Sequence, residues 1–306
     1  MIRMIPILIE RGFLPIACVL SLLALWRPEL FTWIRPHIPL GLGIIMFGMG
    51  LTLDFGDFRD ILRKWKLVGL GMILQYTIMP LLAVGISIML DLPEAAMVGM
   101  VVVGACPGGT ASNVIAYIAR ANVPLSVTMT LASTALAPIF TPLVIYVVLD
   151  RQISIDFWGM MDSVFWIVVF PLLDGLILRR LLRKRLDPVL HWFPSVSIVV
   201  ISLLIACIIG LNKDSLLAFP LLVFAAVALH NVFGLGAGYL AARMAGCDKR
   251  DARTMAIEVG MQNSGLGVAL ASSFFSAASA LPGALFSLWH NVTGVSLASY
   301  WRRSDS

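Results

Sequence analysis

Glu258 lies inside a long apolar stretch, with no basic side chain near it in that stretch. An isolated carboxylate in such surroundings is costly to desolvate, so its default role is chemical: it binds a cation or handles a proton. Neutral oxygen donors recur at other apolar positions. Ser112 and Asn113 follow one glycine-rich break, while Gln262 and Asn263 lie in a second break beside Glu258. Gln75 sits in mid-span, and Ser126 and Thr130 are four apart, hence on one helical face. Carboxylate, amide, hydroxyl and free main-chain carbonyl together make the ligand set of a hard monovalent cation. Singly, each residue has a simpler reading. Serine and threonine in a helix more often bond back to their own turn, Gln75 suits an interhelical hydrogen bond, and Glu258 suits a protonated donor between helices. The ensemble is what points to ion binding.

Other candidate chemistries are weaker. Cys18, Cys106, Cys207 and Cys247 are scattered without a CxxC pair and read as small packing residues. His37, His191, His230 and His290 lack metal-ligand spacing, and His230-Asn231 and His290-Asn291 read first as buried hydrogen-bonding pairs. Gly104 to Thr110 has the glycine spacing of a phosphate loop without its lysine, and Ser264 lacks the context of a hydrolase nucleophile. Asn291-Val-Thr293 matches a glycosylation sequon but falls inside an apolar run, which makes it packing or pocket lining.

These residues must be positioned by elements that live in lipid. Of the 306 residues, 59% are apolar and 13% charged, against roughly 45–50% and about 25% in soluble domains. Mean hydropathy is +0.94. Folding in water hides only about 75% of the accessible surface of a chain this long; the composition therefore requires a bilayer as solvent. The net charge of +5 does not mark a nucleic-acid binder, because the basic residues sit in short connections where they set topology.

Ten apolar runs can each cross about 30 Å of hydrocarbon: 12–26, 39–53, 67–90, 94–119, 122–149, 157–182, 194–210, 215–242, 252–275 and 277–301. The first is expected to be a span and not a cleaved signal, since no A-x-A site follows it. With ten spans both termini share a side. Eighteen of the 22 basic residues fall on that side and only Arg27, Arg35, Arg151 and Lys213 on the other, so both termini are expected in the cytoplasm. Trp26, Trp33, Trp65, Trp158, Trp192 and Trp301 fall near span ends, as interfacial anchors do.

Five spans precede Asp150 and five follow, giving an expected first repeat over 1–150 and a second, inverted repeat over 151–306. An offset of 156 residues pairs Pro39 with Ser195, Gln75 with Asn231 and Gly104 with Gly260. Spans 4 and 9 are both interrupted, at Gly104-Ala-Cys-Pro-Gly-Gly-Thr-Ala-Ser-Asn113 and Glu258-Val-Gly-Met-Gln-Asn-Ser-Gly-Leu-Gly267. Broken helices survive at membrane depth only within protein or beside a watery cavity. At matching positions of inverted halves they mark a carrier's binding site.

The Glu258 stretch, the Gly-Thr-Ala-Ser-Asn113 stretch and Leu281-Pro-Gly-Ala-Leu-Phe-Ser-Leu-Trp-His-Asn291 together resemble the bile acid:sodium symporter family over essentially the whole chain. The resemblance implies an all-α fold with a panel and a core domain, the broken spans crossing in the core, and two sodium sites. One would use Ser112, Asn113, Ser126, Thr130 and Glu258. The other would use Gln75, Glu258, Gln262 and the carbonyls of Val259 and Met261. The expected function is sodium-driven import of an organic anion by alternating access, in a bacterial inner membrane. A small acid of the pantoate or ketopantoate kind is favoured over a bile acid. With no lysine or arginine in either break, the anion is expected at the half-helix starts near Thr110 and Ser264, with Asn263 beside them, or else nearer His290 and Asn291. Two rival classes, an intramembrane enzyme using Glu258 as acid–base and a passive channel, lack a second catalytic group and a reason for two breaks, respectively.

Overall fold

The computed structural model describes residues 13–53, 55–149, 155–190, 192–214 and 220–304. Its regular elements among these residues are all helices, because in hydrocarbon only a helix satisfies the backbone of a single crossing segment by itself. Each apolar run becomes a helix or a broken pair. Run 1 is α1 (Phe13–Trp26) and run 2 is α2 (Ile38–Thr52). Run 3 is α4 (Trp65–Ile73) joined to α5 (Met79–Met89) through a widened π turn over Leu74–Ile78. Run 4 breaks into α6 (Glu94–Gly104) and α7 (Ala111–Ile118), and run 5 is α8 (Val123–Leu149). In the second half α9 (Phe157–Val164) and α10 (Phe170–Leu182) are again joined by a π turn, over Phe165–Val169. Then come α12 (Phe193–Leu211), α13 (Pro220–Met244), the broken pair α14 (Lys249–Gly260) and α15 (Ser264–Phe274), and α16 (Leu281–Ser304). Among the described residues, five continuous stretches are long and apolar enough to cross a membrane on their own, and shorter apolar helices account for α1, α6, α12 and α15. The chain is an all-α polytopic membrane protein.

Two connections hold more structure than the sequence pattern indicates. The polar stretch after span 2 forms α3 (Phe55–Arg63), with Asp60 and Arg63 3.6 Å apart on one face. The stretch after span 6 forms a tight turn over Arg183–Leu186 and then α11 (Asp187–Leu190). Neither is apolar enough to register as a span, and each is too short for helical periodicity to stand out. Trp26, Trp33, Trp65 and Trp158 are exposed, the last two near span starts, where an indole sits at the headgroup level.

Glycine sets the closest helix contacts. A Cβ on Gly50 would run into Leu172 O, and one on Gly175 into Phe47 O, which locks α2 against α10. On α13, a Cβ at Gly238 would fall 2.7 Å from Met255 O, and at Gly234 3.2 Å from Gly260 Cα. Small residues let α13 lie against α14 at backbone distance, the usual way of gaining dispersion where lipid offers no hydrophobic drive.

Candidate functional site at the crossing of two broken helices

The breaks in spans 4 and 9 meet. Gly108 and Gln262 pair as an isolated antiparallel bridge. Gly109 N–H donates to Met261 O and Asn263 N–H to Pro107 O, each at 2.8 Å. Main chain freed by each unwound segment is thus satisfied by the other, as hydrocarbon demands. The approach requires glycine: a Cβ on Gly109 would sit 2.6 Å from Gln262 O, and one on Gly108 3.1 Å from Glu258 Oε2.

Side chains paired by the 156-residue offset make similar contacts, the acceptor carbonyls differing by two residues. Gln75 Nε2 donates to Cys106 O, just past the end of α6, at 2.7 Å, and Asn231 Nδ2 donates to Gly260 O, at the end of α14, at 2.8 Å. Gly104 abuts Met79, and Gly260 abuts Leu235. Paired amides therefore cap both first half-helices, whose last carbonyls have no partner within the helix. Asn231 Oδ1 in turn accepts from Thr293 at 2.6 Å.

Glu258 is 3% exposed and held entirely by hydroxyls. Ser112 donates to Oε1 at 2.6 Å, Thr130 donates to Oε2 at 2.8 Å, and Ser126 donates to Oε1. Asn113 Oδ1 lies 2.9 Å from Ser126 Oγ and 3.4 Å from Thr130 Oγ1. Each hydroxyl has one proton. If all three protons face the carboxylate, only oxygen lone pairs face Asn113 Oδ1. Five side chains from α7, α8 and α14 thus present an oxygen-rich nest. Ser126 and Thr130, whose local alternative was to bond back to their own helix, point instead at Glu258.

Gln75 and Gln262 form the adjoining group. Gln75 Nε2 donates to Gln262 Oε1 at 2.5 Å, and Gln262 Nε2 to Val259 O at 2.9 Å. The carbonyl of Met261 accepts the crossing bond from Gly109. The π turn at Leu74–Ile78 makes Leu74, Gln75 and Tyr76 all buried. Such turns are frequent at functional sites.

Residues expected at the anion site are divided. Thr110 is the N-cap position of α7 but its side chain makes no capping bond. Asn263 caps α15, its Oδ1 accepting from Leu266 N–H at 3.2 Å while Nδ2 faces Met46 Sδ at 4.0 Å. Ser264 shares a 2.6 Å hydrogen bond with Ser287 of α16. Asn291 bonds back to Ser287 O at 2.7 Å. His290 packs elsewhere, with its ring 5.3 Å from Phe286, which is 5.7 Å from the ring of His230. Thr110, Asn263 and Ser264 therefore gather at the crossing, and His290 does not join them.

Two participants have no separate signal in the sequence. Ser133 Oγ accepts from Gly108 N–H at 3.2 Å and donates to Thr130 O at 3.1 Å, tying α8 to the crossing. Tyr76 donates to Ser133 O at 2.8 Å. Ser133 follows Thr130 by three, so extending the polar face of α8 one turn would have reached it; Tyr76 is turned inward by the π turn, which no periodicity announces.

Replacing Gln75 with alanine removes the cap on Cys106 O and the partner of Gln262. If this group holds sodium, as the resemblance implies, the sodium concentration giving half-maximal uptake is expected to rise several-fold, with Gln262→Ala behaving alike. Vesicle uptake titrated with sodium measures it, and an unchanged midpoint in both variants would remove this group from the ion site.

A profile of the Sodium Bile acid symporter family matches residues 39–219. A Bacillus subtilis (strain 168) protein described as an uncharacterized sodium-dependent transporter, YocS, is 45% identical over 93% of this chain and 89% of its own. The probable sodium/metabolite cotransporter BASS1 of Arabidopsis thaliana chloroplasts is 41% identical over 92% of this chain and 71% of its own, and the rice (Oryza sativa subsp. japonica) BASS1 is 38% identical over 91% and 69%.

Proposed function

The chain belongs to the Sodium Bile acid symporter family, and on that premise we propose that it couples inward sodium flow to import of a small organic anion through the site where the two broken helices cross. It is a multi-pass membrane transporter, a member of a sodium-dependent family, not an enzyme. The observation that carries the proposal is the nest around Glu258. The same five side chains have two self-consistent arrangements. With the Asn113 amide turned to donate, the nest closes on itself by hydrogen bonds. With its oxygen turned inward, five side chains offer oxygen to one sodium ion and the carboxylate neutralises its charge. Gln75, Gln262 and the Val259 and Met261 carbonyls would hold a second ion, again sharing Glu258.

The anion would lie where α7 and α15 begin. A helix start carries about half a positive charge, and two such starts meet here, although at α15 the N–H groups of Ser264, Leu266 and Gly267 already bond to Gln262 and Asn263. Bound sodium lowers the cost of admitting a carboxylate beside Glu258, which is a direct reason for coupling. The two halves, 1–150 and 151–306, supply one broken helix each, and the core built around the crossing would move against a panel of α1, α2, α10 and α12. Uptake into vesicles with and without a sodium gradient tests the mechanism. Competition among pantoate, ketopantoate and taurocholate tests the substrate class, with the small acids expected to compete and taurocholate to be the weaker inhibitor.

The charge distribution supports an orientation with both termini on the cytoplasmic side, and the membrane we propose is a bacterial inner membrane. Single cysteines introduced in the 54–66 and 183–193 connections of a cysteine-free variant should react with impermeant reagents only from the cytoplasmic side. Labelling of both from outside intact cells would invert the orientation.

A further inference from the structure

The polar contacts of Glu258 continue beyond the nest. Along α8 and its cap, Asn122, Ser126 and Thr130 recur every four residues; along α14, Thr254 and Glu258 do the same. Each helix thus carries a polar line on one face, and the two lines meet. Ser126 donates to Glu258. One turn away, Asn122 N–H donates to Thr254 Oγ1 at 2.8 Å, and Asn122 Nδ2 donates to Asp251 Oδ1 at 2.7 Å. Thr254 is fully buried, whereas Asp251 is half-buried near the exposed Lys249 and Arg250. Apolar clusters flank the seam on both sides: Leu125, Met129 and Met255 on one, Ile115, Ala116 and Ile257 on the other.

We propose that this seam is the route by which the cation leaves the Glu258 nest toward the arginine-rich face, with Asn122, Thr254 and Asp251 as a transient second station. The inference rests on the nest being a cation site. A four-residue step along a helix is about 6 Å, so an ion moves between stations in one step. The oxygens it meets are of the kinds that hold it in the nest: the Thr254 hydroxyl, the Asn122 main-chain carbonyl and the Asp251 carboxylate, while the Asn122 side-chain oxygen stays on Leu125 N–H as the cap of α8. At rest the seam is closed by its own hydrogen bonds, Thr254 lying also 3.3 Å from Asn122 O and 3.2 Å from Arg250 O. An arriving ion replaces the Asn122–Thr254 bond and opens the way. Arg250, which donates to Ala121 O at 3.2 Å, would repel the departing ion at the mouth. Asp251 offsets that charge.

The test separates rate from affinity. Thr254→Val keeps the side-chain shape and removes the oxygen; Asp251→Asn removes the charge at the mouth. Each purified variant, reconstituted in liposomes on a solid-supported membrane, receives a sodium concentration jump. The charge-movement relaxation should slow about tenfold or more in both, while the equilibrium sodium midpoint from calorimetry stays within twofold of the unaltered protein. Unchanged relaxation in both variants would overturn the route. So would a parallel loss of rate and affinity, which would make Thr254 a support for Glu258 only. If the unaltered protein shows no sodium-dependent signal, the cation-site reading fails on its own account.

Discussion

Glu258→Gln is expected to reduce sodium-driven uptake to background while the protein still inserts and folds. Glutamine has nearly the same shape and retains one carbonyl oxygen for Ser112 and Ser126, so the nest loses little packing. What it loses is the one charge that both proposed ion sites share. A sodium ion surrounded by neutral oxygens in hydrocarbon keeps its own desolvation cost without a counter-charge. Glu258→Ala should be equally inactive and less stable, since three buried hydroxyls would lose their acceptor. A second readout guards against mere misfolding. Sodium at about a hundred times its dissociation constant stabilises a protein that binds it by about 2.7 kcal/mol, so the thermal midpoint of the unaltered protein should rise when choline is exchanged for sodium. The Glu258→Gln midpoint should not move. Wild-type uptake by either variant would sink the mechanism.

How far the sequence carries such an argument is visible at particular residues. Among the described residues the ten apolar runs become helices, within a few residues of their expected ends wherever those ends are described (the starts of runs 1 and 8 lie outside the described residues), because lipid leaves the backbone no other choice. Glu258, Ser112, Asn113, Ser126 and Thr130 could be grouped because breaks and four-residue spacing are local signals. What stayed hidden depends on tertiary contact. The π turn that turns both Gln75 and Tyr76 inward is a one-residue change of register. The repeat adds its own lesson. At the 156-residue offset Gln75 and Asn231 perform one task and Gly104 and Gly260 another, yet Glu258, Ser112, Asn113, Ser126 and Thr130 have Val102, Val268, Ala269, Pro282 and Phe286 as counterparts. The halves share the scaffold of the crossing, while the oxygen ligands proposed for the first ion have no chemical counterparts at the 156-residue offset.

Asn263 is where the structure sharpens an expectation most. As the cap of α15 it cannot be exchanged for leucine without also losing the bond to Leu266 N–H, a loss of roughly 0.5–2 kcal/mol in stability that would confuse any binding result. Asn263→Asp avoids this. Aspartate caps as well as asparagine, and the main-chain bond to Pro107 O is untouched. The exchange replaces the Nδ2 donor with a second acceptor and adds a negative charge where the carboxylate of the substrate is proposed to sit. A hydrogen bond to a charged group is worth about 1.5–3 kcal/mol, so its loss alone should weaken anion affinity more than tenfold, and repulsion in a partly buried site adds to it. Thr110→Val, which removes a hydroxyl that makes no capping bond, should weaken it less. Sodium affinity should hold or rise in Asn263→Asp, since the new charge favours a cation. That opposition of sign is the signature to look for. Calorimetry with pantoate at saturating sodium, and with sodium alone, measures both quantities on the same protein. Anion affinity that stays unchanged in both variants would move the anion away from the helix starts, toward His290 and Asn291.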